Sequence, residues 1–164
     1  MITEQEFTRS YNLYSAKVYR LCLGYASGNH DLAKDWHQQA FIKVWKHRNS
    51  FKAQSSIDTW IYRIAVNVCL GDLRKSKKDL SVKEELLSPL PESESAPIDT
   101  EENVQRLYRC IDLLNKQNKA LILLELEDIP QATIAASLGL AHGTVRTRLS
   151  RIRKSLLKCI KNGK

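Results

Sequence analysis

The strongest constraint on the fold is an apolar stripe near the C-terminus that repeats at helical spacing. Residues separated by four, three and four positions share one face of an α-helix, and this face holds Val145, Leu149, Ile152 and Leu156. A shorter apolar segment at 134–138 precedes the stripe, and Gly139 between them supplies a permissive turn. A short helix, a glycine turn and a long amphipathic helix together predict a helix-turn-helix.

The face opposite this stripe is cationic, and it predicts contact with duplex DNA. A helix that is apolar on one side and basic on the other fits the major groove, where arginine reaches guanine edges or phosphates. The alternative is a solvated basic helix, which the accompanying short helix and turn make less favourable. The predicted contact residues are Arg146, Thr147, Arg148, Ser150, Arg151 and Lys154.

Charge is segregated along the chain, which carries a formal net charge of +8. From Asp128 onward there are eight Lys or Arg and one acid, whereas residues 79–102 hold eight acids and one Lys. A polyanionic partner for the C-terminal part explains the first segment. The acidic segment also contains three of the four prolines, so we expect an extended linker there. We therefore expect helical domains at 1–79 and 102–164, joined by a linker at 80–101.

The N-terminal part has helical periodicity throughout, which predicts an all-α protein of two small helical domains. We expect helices at about 7–25, 31–48 and 57–77, the second capped by Asp31, with a loop at 52–56. Around this loop, Phe51, Trp60 and Tyr62 are interleaved with basic side chains. Such a mixture suits unpaired bases and their phosphates, although buried core aromatics are an equal alternative.

Cysteines and histidines show no ligand or redox spacing. The four cysteines, Cys22, Cys69, Cys110 and Cys159, lack a CxxC pattern, and we expect reduced, packed thiols rather than a disulfide framework or zinc site. We accordingly expect no metal and no cofactor. No apolar run is long enough to span a bilayer and no secretory signal is evident, so a cytoplasmic protein is expected.

Three segments together resemble the sigma-70 family of bacterial RNA polymerase specificity subunits, in its two-domain extracytoplasmic-function (ECF) branch. DLAKDWHQQAFIKVW resembles the polymerase-binding helix of the family, and SSIDTWIYRIAVNVCLGDLRK resembles its promoter-melting helix. IPQATIAASLGLAHGTVRTRLSRIRKSL resembles its C-terminal helix-turn-helix. The resemblance implies a sigma2-like helical bundle at 1–79, a sigma4-like domain at 102–164 and a non-enzymatic initiation factor.

The resemblance also implies roles for particular residues. Asp35, Gln38 and Gln39 match positions that dock on the β′ subunit of core RNA polymerase. The resemblance implies that the protein as a whole contacts both the β′ and the β subunit. On the basic helix face, Arg146, Thr147, Ser150 and Arg151 match positions that contact the −35 element as duplex. Capture of single-stranded −10 bases is implied for the loop and the helix behind it, through Phe51, Lys52, Ser55, Ser56, Trp60, Arg63, Asn67 and Arg74.

Partners and departures follow from the same resemblance. It implies an anti-sigma factor that holds the protein inactive, and a monomer when free. The family often has Glu where this chain has Lys34 and Gln39, and two acids where it has Ala132 and Thr133. Pro130 replaces a usual capping Ser, which a helix start tolerates.

Two other classes of protein remain open from the residues alone. A stand-alone helix-turn-helix regulator would share the basic helix, but it would not need aromatics beside a second basic helix. A nucleic-acid enzyme would need paired carboxylates at metal spacing or a nucleophile beside a base, and the sequence offers neither pattern.

Overall fold

The structure is a computed structural model that describes residues 1–80 and 100–162, and in these ranges it is helical without strands. This confirms the all-α prediction. Most of the expected linker, residues 81–99, lies outside the described residues. One 3-10 turn lies at Arg48–Ser50, and the α-helices are α1 (Glu4–Tyr25), α2 (His30–Lys46), α3 (Ile57–Leu80), α4 (Thr100–Asp112), α5 (Lys116–Leu126), α6 (Gln131–Leu138) and α7 (His142–Lys161).

Helices α1, α2 and α3 pack together as an N-terminal bundle around fully buried side chains such as Leu21, Trp36 and Ile61. The indole Nε1 of Trp36 donates to Asp72 Oδ2 at 2.8 Å, which ties α2 to α3. The expected cap of α2 was wrong. Asn29, two residues before Asp31, accepts from the Leu32 amide at 3.1 Å, because the helix begins at His30, two residues earlier than a cap at Asp31 implies.

Helices α4 to α7 form the C-terminal unit and include the predicted helix-turn-helix, α6 and α7. The apolar stripe of α7 is buried as expected, with Val145 and Leu149 fully inaccessible. Gly139 ends α6 with φ +69°, a left-handed conformation that glycine adopts without strain. Pro130 occupies the cap position of α6, which has no side-chain cap there.

The two helical units are docked against each other along α1 and α3 on one side and α5 and α6 on the other. Arg20 Nε donates to Glu127 Oε2 at 2.6 Å, and Ser27 donates to Asp112 at 2.5 Å. Gly24 faces Leu123 so closely that a Cβ at position 24 would lie 2.5 Å from a leucine methyl carbon. A side chain at position 24 would therefore require the buried Leu123 side chain to move where α5 crosses α1.

The prediction of four reduced thiols was wrong for two of the cysteines. Cys110, near the end of α4, and Cys159, near the end of α7, form a disulfide with Cα atoms 6.0 Å apart. The two residues are 49 positions apart in sequence, so no local spacing signals the pairing. Only the packing of the first and last helices of the unit, α4 and α7, brings them together. Cys22 and Cys69 are buried free thiols, as expected.

The described helices include none long and apolar enough to cross a membrane.

Candidate nucleic-acid and partner interfaces

The predicted duplex-reading face of α7 is open to solvent. The side chains of Arg146, Thr147, Ser150, Arg151 and Lys154 are exposed, opposite the buried stripe. Arg148 is half-buried and donates to Gln117 of α5. On the other flank, Arg153 Nε donates to Glu125 Oε2 at 3.1 Å. Two arginines thus brace α7 against α5, while the exposed cations between them stay available.

Five of the predicted −10 residues surround one cavity of about 370 Å³ next to the loop before α3. The rings of Phe51 and Trp60 form one side, with centroids 5.2 Å apart. The cavity combines two partly exposed aromatic faces with cations and hydroxyls, which suits a planar base with an attached phosphate. Its walls are formed by Ser50, Phe51, Lys52, Gln54, Ser55, Trp60 and Arg63.

Tyr62, the third aromatic residue of the predicted aromatic and basic segment, belongs to the core. Tyr62 is 2% exposed and packs edge-on against Tyr14, with centroids 6.0 Å apart. Burial, reinforced by the nearby Asp58 carboxylate, raises the pKa of Tyr62, so its ring remains neutral. The sequence left open whether these aromatics bind bases or pack in the core. In the fold, Phe51 and Trp60 line the surface cavity, whereas Tyr62 is buried in the core.

The other predicted −10 residues lie just before α3, at Ser56, and along α3, at Asn67 and Arg74. Ser56 is exposed and bonds to Thr59 Oγ1 at 2.9 Å and to Asp58. Asn67 and Arg74 are exposed, about two turns apart on α3, and face different cavities between the two helical units, of about 430 and 300 Å³. They do not share the cavity of Phe51 and Trp60.

Arg63 is engaged by the C-terminal unit. Its guanidinium donates to the backbone carbonyls of Ala136 at 2.8 Å and Ser137 at 3.2 Å, in the last turn of α6. A cation at a helix C-terminus is favoured because the unpaired carbonyls there carry partial negative charge. The buried Ser137 hydroxyl also lies 3.4 Å from the carbonyl oxygen of Thr59. Sequence reasoning offered no signal for these long-range contacts.

The predicted polymerase-binding residues lie on the outer side of α2. Asp35 and Gln38 are exposed, and half-buried Gln39 donates to Asp35 Oδ2 at 2.8 Å. Gln38 also borders a groove of about 530 Å³ between α1 and α2. The exposed apolar residues of this groove were missed, namely Tyr11 (40%), Ile42 (45%) and Trp45 (36%).

The chemistry of this groove is apolar with basic edges. His37 lines its floor against Phe41, with ring centroids 5.0 Å apart, and burial lowers the pKa of His37. The imidazole is therefore neutral at pH 7, and Lys34 and Lys46 supply the positive charge at the rim. Within the described part of the chain, no group of three or more His, Cys, Asp or Glu side chains is placed to hold a metal ion.

Known proteins share both parts of this architecture. The family model of sigma-70 region 2 matches residues 11–79, and that of sigma-70 region 4 matches residues 104–156. The ECF RNA polymerase sigma factor SigW of Bacillus subtilis is 26% identical over 97% of this chain and 91% of its own length. The ECF RNA polymerase sigma-E factor of Escherichia coli K12 is 32% identical over 87% of this chain and 80% of its own length.

A solved structure shares the fold. The sigma factor RpoE of Bartonella quintana, crystallised with the anti-sigma factor NepR, has a TM-score of 0.73 at 22% identity. The match covers 96% of this chain and 98% of that chain. The two family models and the E. coli relative show that this chain belongs to the sigma-70 family, as a sigma factor of the ECF subfamily.

Proposed function

We propose that the protein binds core RNA polymerase, directs it to specific promoters and helps to open the −10 element. The observation that carries this proposal is the presence in one chain of two different nucleic-acid surfaces. One is a convex basic helix suited to a duplex groove, and the other is an aromatic cavity suited to a separated base. A regulator that reads only duplex DNA has no use for the second surface. The role is that of a non-enzymatic transcription factor.

The −35 element would be read by α7. Its buried stripe fixes the helix on the C-terminal core, and Arg148 and Arg153 hold it against α5 through Gln117 and Glu125. The exposed Arg146 and Arg151 then supply base or phosphate contacts from a rigid support. Contacts from Thr147, Ser150 and Lys154 add register on the DNA backbone.

The −10 element would be opened at the cavity before α3. Moving a base out of the DNA stack costs a few kcal/mol of stacking and pairing free energy. Stacking of the base on an aromatic side chain offsets about 1–3 kcal/mol of that cost. Phe51 and Trp60 offer such a platform, and Lys52 lies beside it for the phosphate. Ser55 and Ser56 could hydrogen-bond the base edge. Asn67 and Arg74 would follow the strand further along α3.

Core polymerase would bind on α2. The polar contacts are Asp35, Gln38 and Gln39, and the adjacent groove adds apolar area through Tyr11, Ile42 and Trp45. An apolar patch bordered by polar side chains is the usual composition of a protein interface. The C-terminal unit would contact the β subunit, and the protein would act in the cytoplasm, where polymerase and promoters meet.

The docked arrangement would be inactive in promoter recognition. Arg63, at the edge of the aromatic cavity, is occupied by carbonyls of α6, and α6 belongs to the unit that reads the −35 element. The exposed face of α7 and the cavity before α3 therefore cannot reach the −35 and −10 elements at the same time until α3 and α6 separate. We propose that polymerase holds the two units apart, and that an anti-sigma factor favours the closed form. The free protein would bind promoter duplex poorly.

In-vitro transcription tests this proposal. A genomic fragment library is transcribed by bacterial core polymerase with and without the protein, and start sites are mapped. Discrete starts that require both components are expected. Specific binding of duplex sites by the protein alone, with no new starts, would instead support a stand-alone regulator.

A further inference from the structure

The four cysteines form two pairs of opposite character, one in each helical unit. In the N-terminal bundle, the Sγ atoms of Cys22 and Cys69 are 3.7 Å apart, and both residues are fully buried. The hydrogen bond to Cys22 and burial raise the pKa of the Cys69 thiol, which keeps it protonated and unreactive. In the C-terminal unit, Cys110 and Cys159 are joined as a disulfide, and Cys159 is partly exposed.

The disulfide holds a helix that has few other anchors. Among residues 101–112 of α4, only Cys110 and Ile111 are buried. Arg106, Leu107 and Tyr108 are half-buried, and the other residues between 101 and 112 are exposed. A helix with so little buried apolar surface opens readily unless something ties it down. The covalent bond to α7 supplies that tie.

We propose that Cys110 and Cys159 form a reversible redox pair whose disulfide clamps α4 to the end of the recognition helix. This inference goes beyond promoter recognition. Disulfides inside the reducing cytoplasm are usually transient or redox-sensing. The partly exposed position of Cys159 gives a small thiol access to this bond, in contrast to the sealed Cys22 and Cys69.

The clamp would open and close by thiol–disulfide exchange with a low-molecular-weight disulfide such as glutathione disulfide. In the closing direction, the Cys159 thiolate attacks one sulfur of that compound and releases one small thiolate. The Cys110 thiolate then attacks Cys159 Sγ in the mixed disulfide and releases the second. The two cysteines lose two protons and two electrons in all, and one small disulfide becomes two thiols.

The disulfide would stabilise the packing of α4 without altering the DNA-contacting face of α7. Cys159 lies eight residues beyond Arg151, about 12 Å along the helix axis. Through α4 the clamp also reaches the N-terminal bundle, because Asp112 accepts from Ser27 and Tyr108 lies against Gly28. The redox state of the pair would thus set how firmly α4 joins the two units.

The test uses the full-length protein equilibrated in mixtures of glutathione and glutathione disulfide. After acid quenching and alkylation, peptide mass spectrometry counts the oxidised fraction at each cysteine. We expect Cys110 and Cys159 to oxidise together and reversibly, while Cys22 and Cys69 remain thiols. We also expect oxidation to raise the thermal unfolding midpoint by roughly 10 °C. Hydrogen exchange of the α4 amides should slow at least tenfold.

Two variants separate the clamp from general effects of cysteine loss. Cys159→Ser, at a partly exposed position, should unfold at the midpoint of the reduced protein and lose all response to the glutathione ratio. Cys22→Ala, the matched control, should keep the full oxidation-dependent rise even if its absolute midpoint falls. The proposal is overturned if the pair never oxidises, if oxidation joins two chains, or if α4 exchanges equally fast in both states.

Discussion

The crossing of α1 and α5 offers a sharp test of the docked arrangement. A methyl group at Gly24 would lie 2.5 Å from Leu123 Cδ2, and Leu123 is 4% exposed. Gly24→Ala therefore overpacks the contact between the two units. Overpacking costs about 1–3 kcal/mol, whereas alanine in place of glycine inside a helix contributes about 1 kcal/mol of stability.

Gly71→Ala is the matched control, because in the described chain no heavy atom within 4 Å would meet its Cβ. Only the helix-propensity gain applies there. We expect Gly24→Ala to be less stable than Gly71→Ala by about 2 kcal/mol, a difference of about 4–8 °C in unfolding midpoint for a chain of this size.

Calorimetry with a double-mutant cycle completes this test. Trimming the opposing leucine in Leu123→Ala removes the methyl carbon that the new Cβ would strike, so the two substitutions should couple by at least about 1 kcal/mol. Equal midpoints for the two glycine variants, together with no coupling, would refute the reasoning. That result would mean that α1 and α5 do not touch in the free protein.

Three further predictions concern the proposed interfaces. Arg151→Ala should lower transcription from a −35-dependent promoter about tenfold by loss of a base or phosphate contact, whereas Lys161→Ala, at the far end of α7, should stay within about twofold. Trp60→Ala should reduce open complexes roughly tenfold in a permanganate assay, with unchanged binding of −35 duplex by the holoenzyme. Gln38→Ala should weaken core polymerase binding about fivefold in fluorescence titration by loss of an interface contact, and Asp31→Asn, at the start of the same helix, should not.

Sequence periodicity predicted the helices well because burial on one face leaves a local signal. The stripe that ends at Leu156 and the left-handed Gly139 could be read directly, since each depends on near neighbours in sequence. The cap of α2 at Asn29 was missed by two residues, because Asn and Asp can both cap and periodicity does not fix a helix start within a turn.

Contacts between distant segments could not be predicted. The pairing of Cys110 with Cys159 depends on how α4 packs on α7, and the engagement of Arg63 by α6 depends on docking of the two units. Neither leaves a spacing pattern in the chain. The placement of the candidate −10 residues depends on the fold in the same way. Phe51 and Trp60 could be proposed from composition, but only the fold separates them from the buried Tyr62.

Detection of unpaired thymines by permanganate tests the central claim most directly, on a promoter identified by start-site mapping. The promoter is probed with core polymerase alone, with the protein alone and with both. The account predicts reactive thymines near the −10 element only when both are present. Reactivity with core polymerase alone, or none with both components while the protein alone protects a specific duplex site, would contradict it.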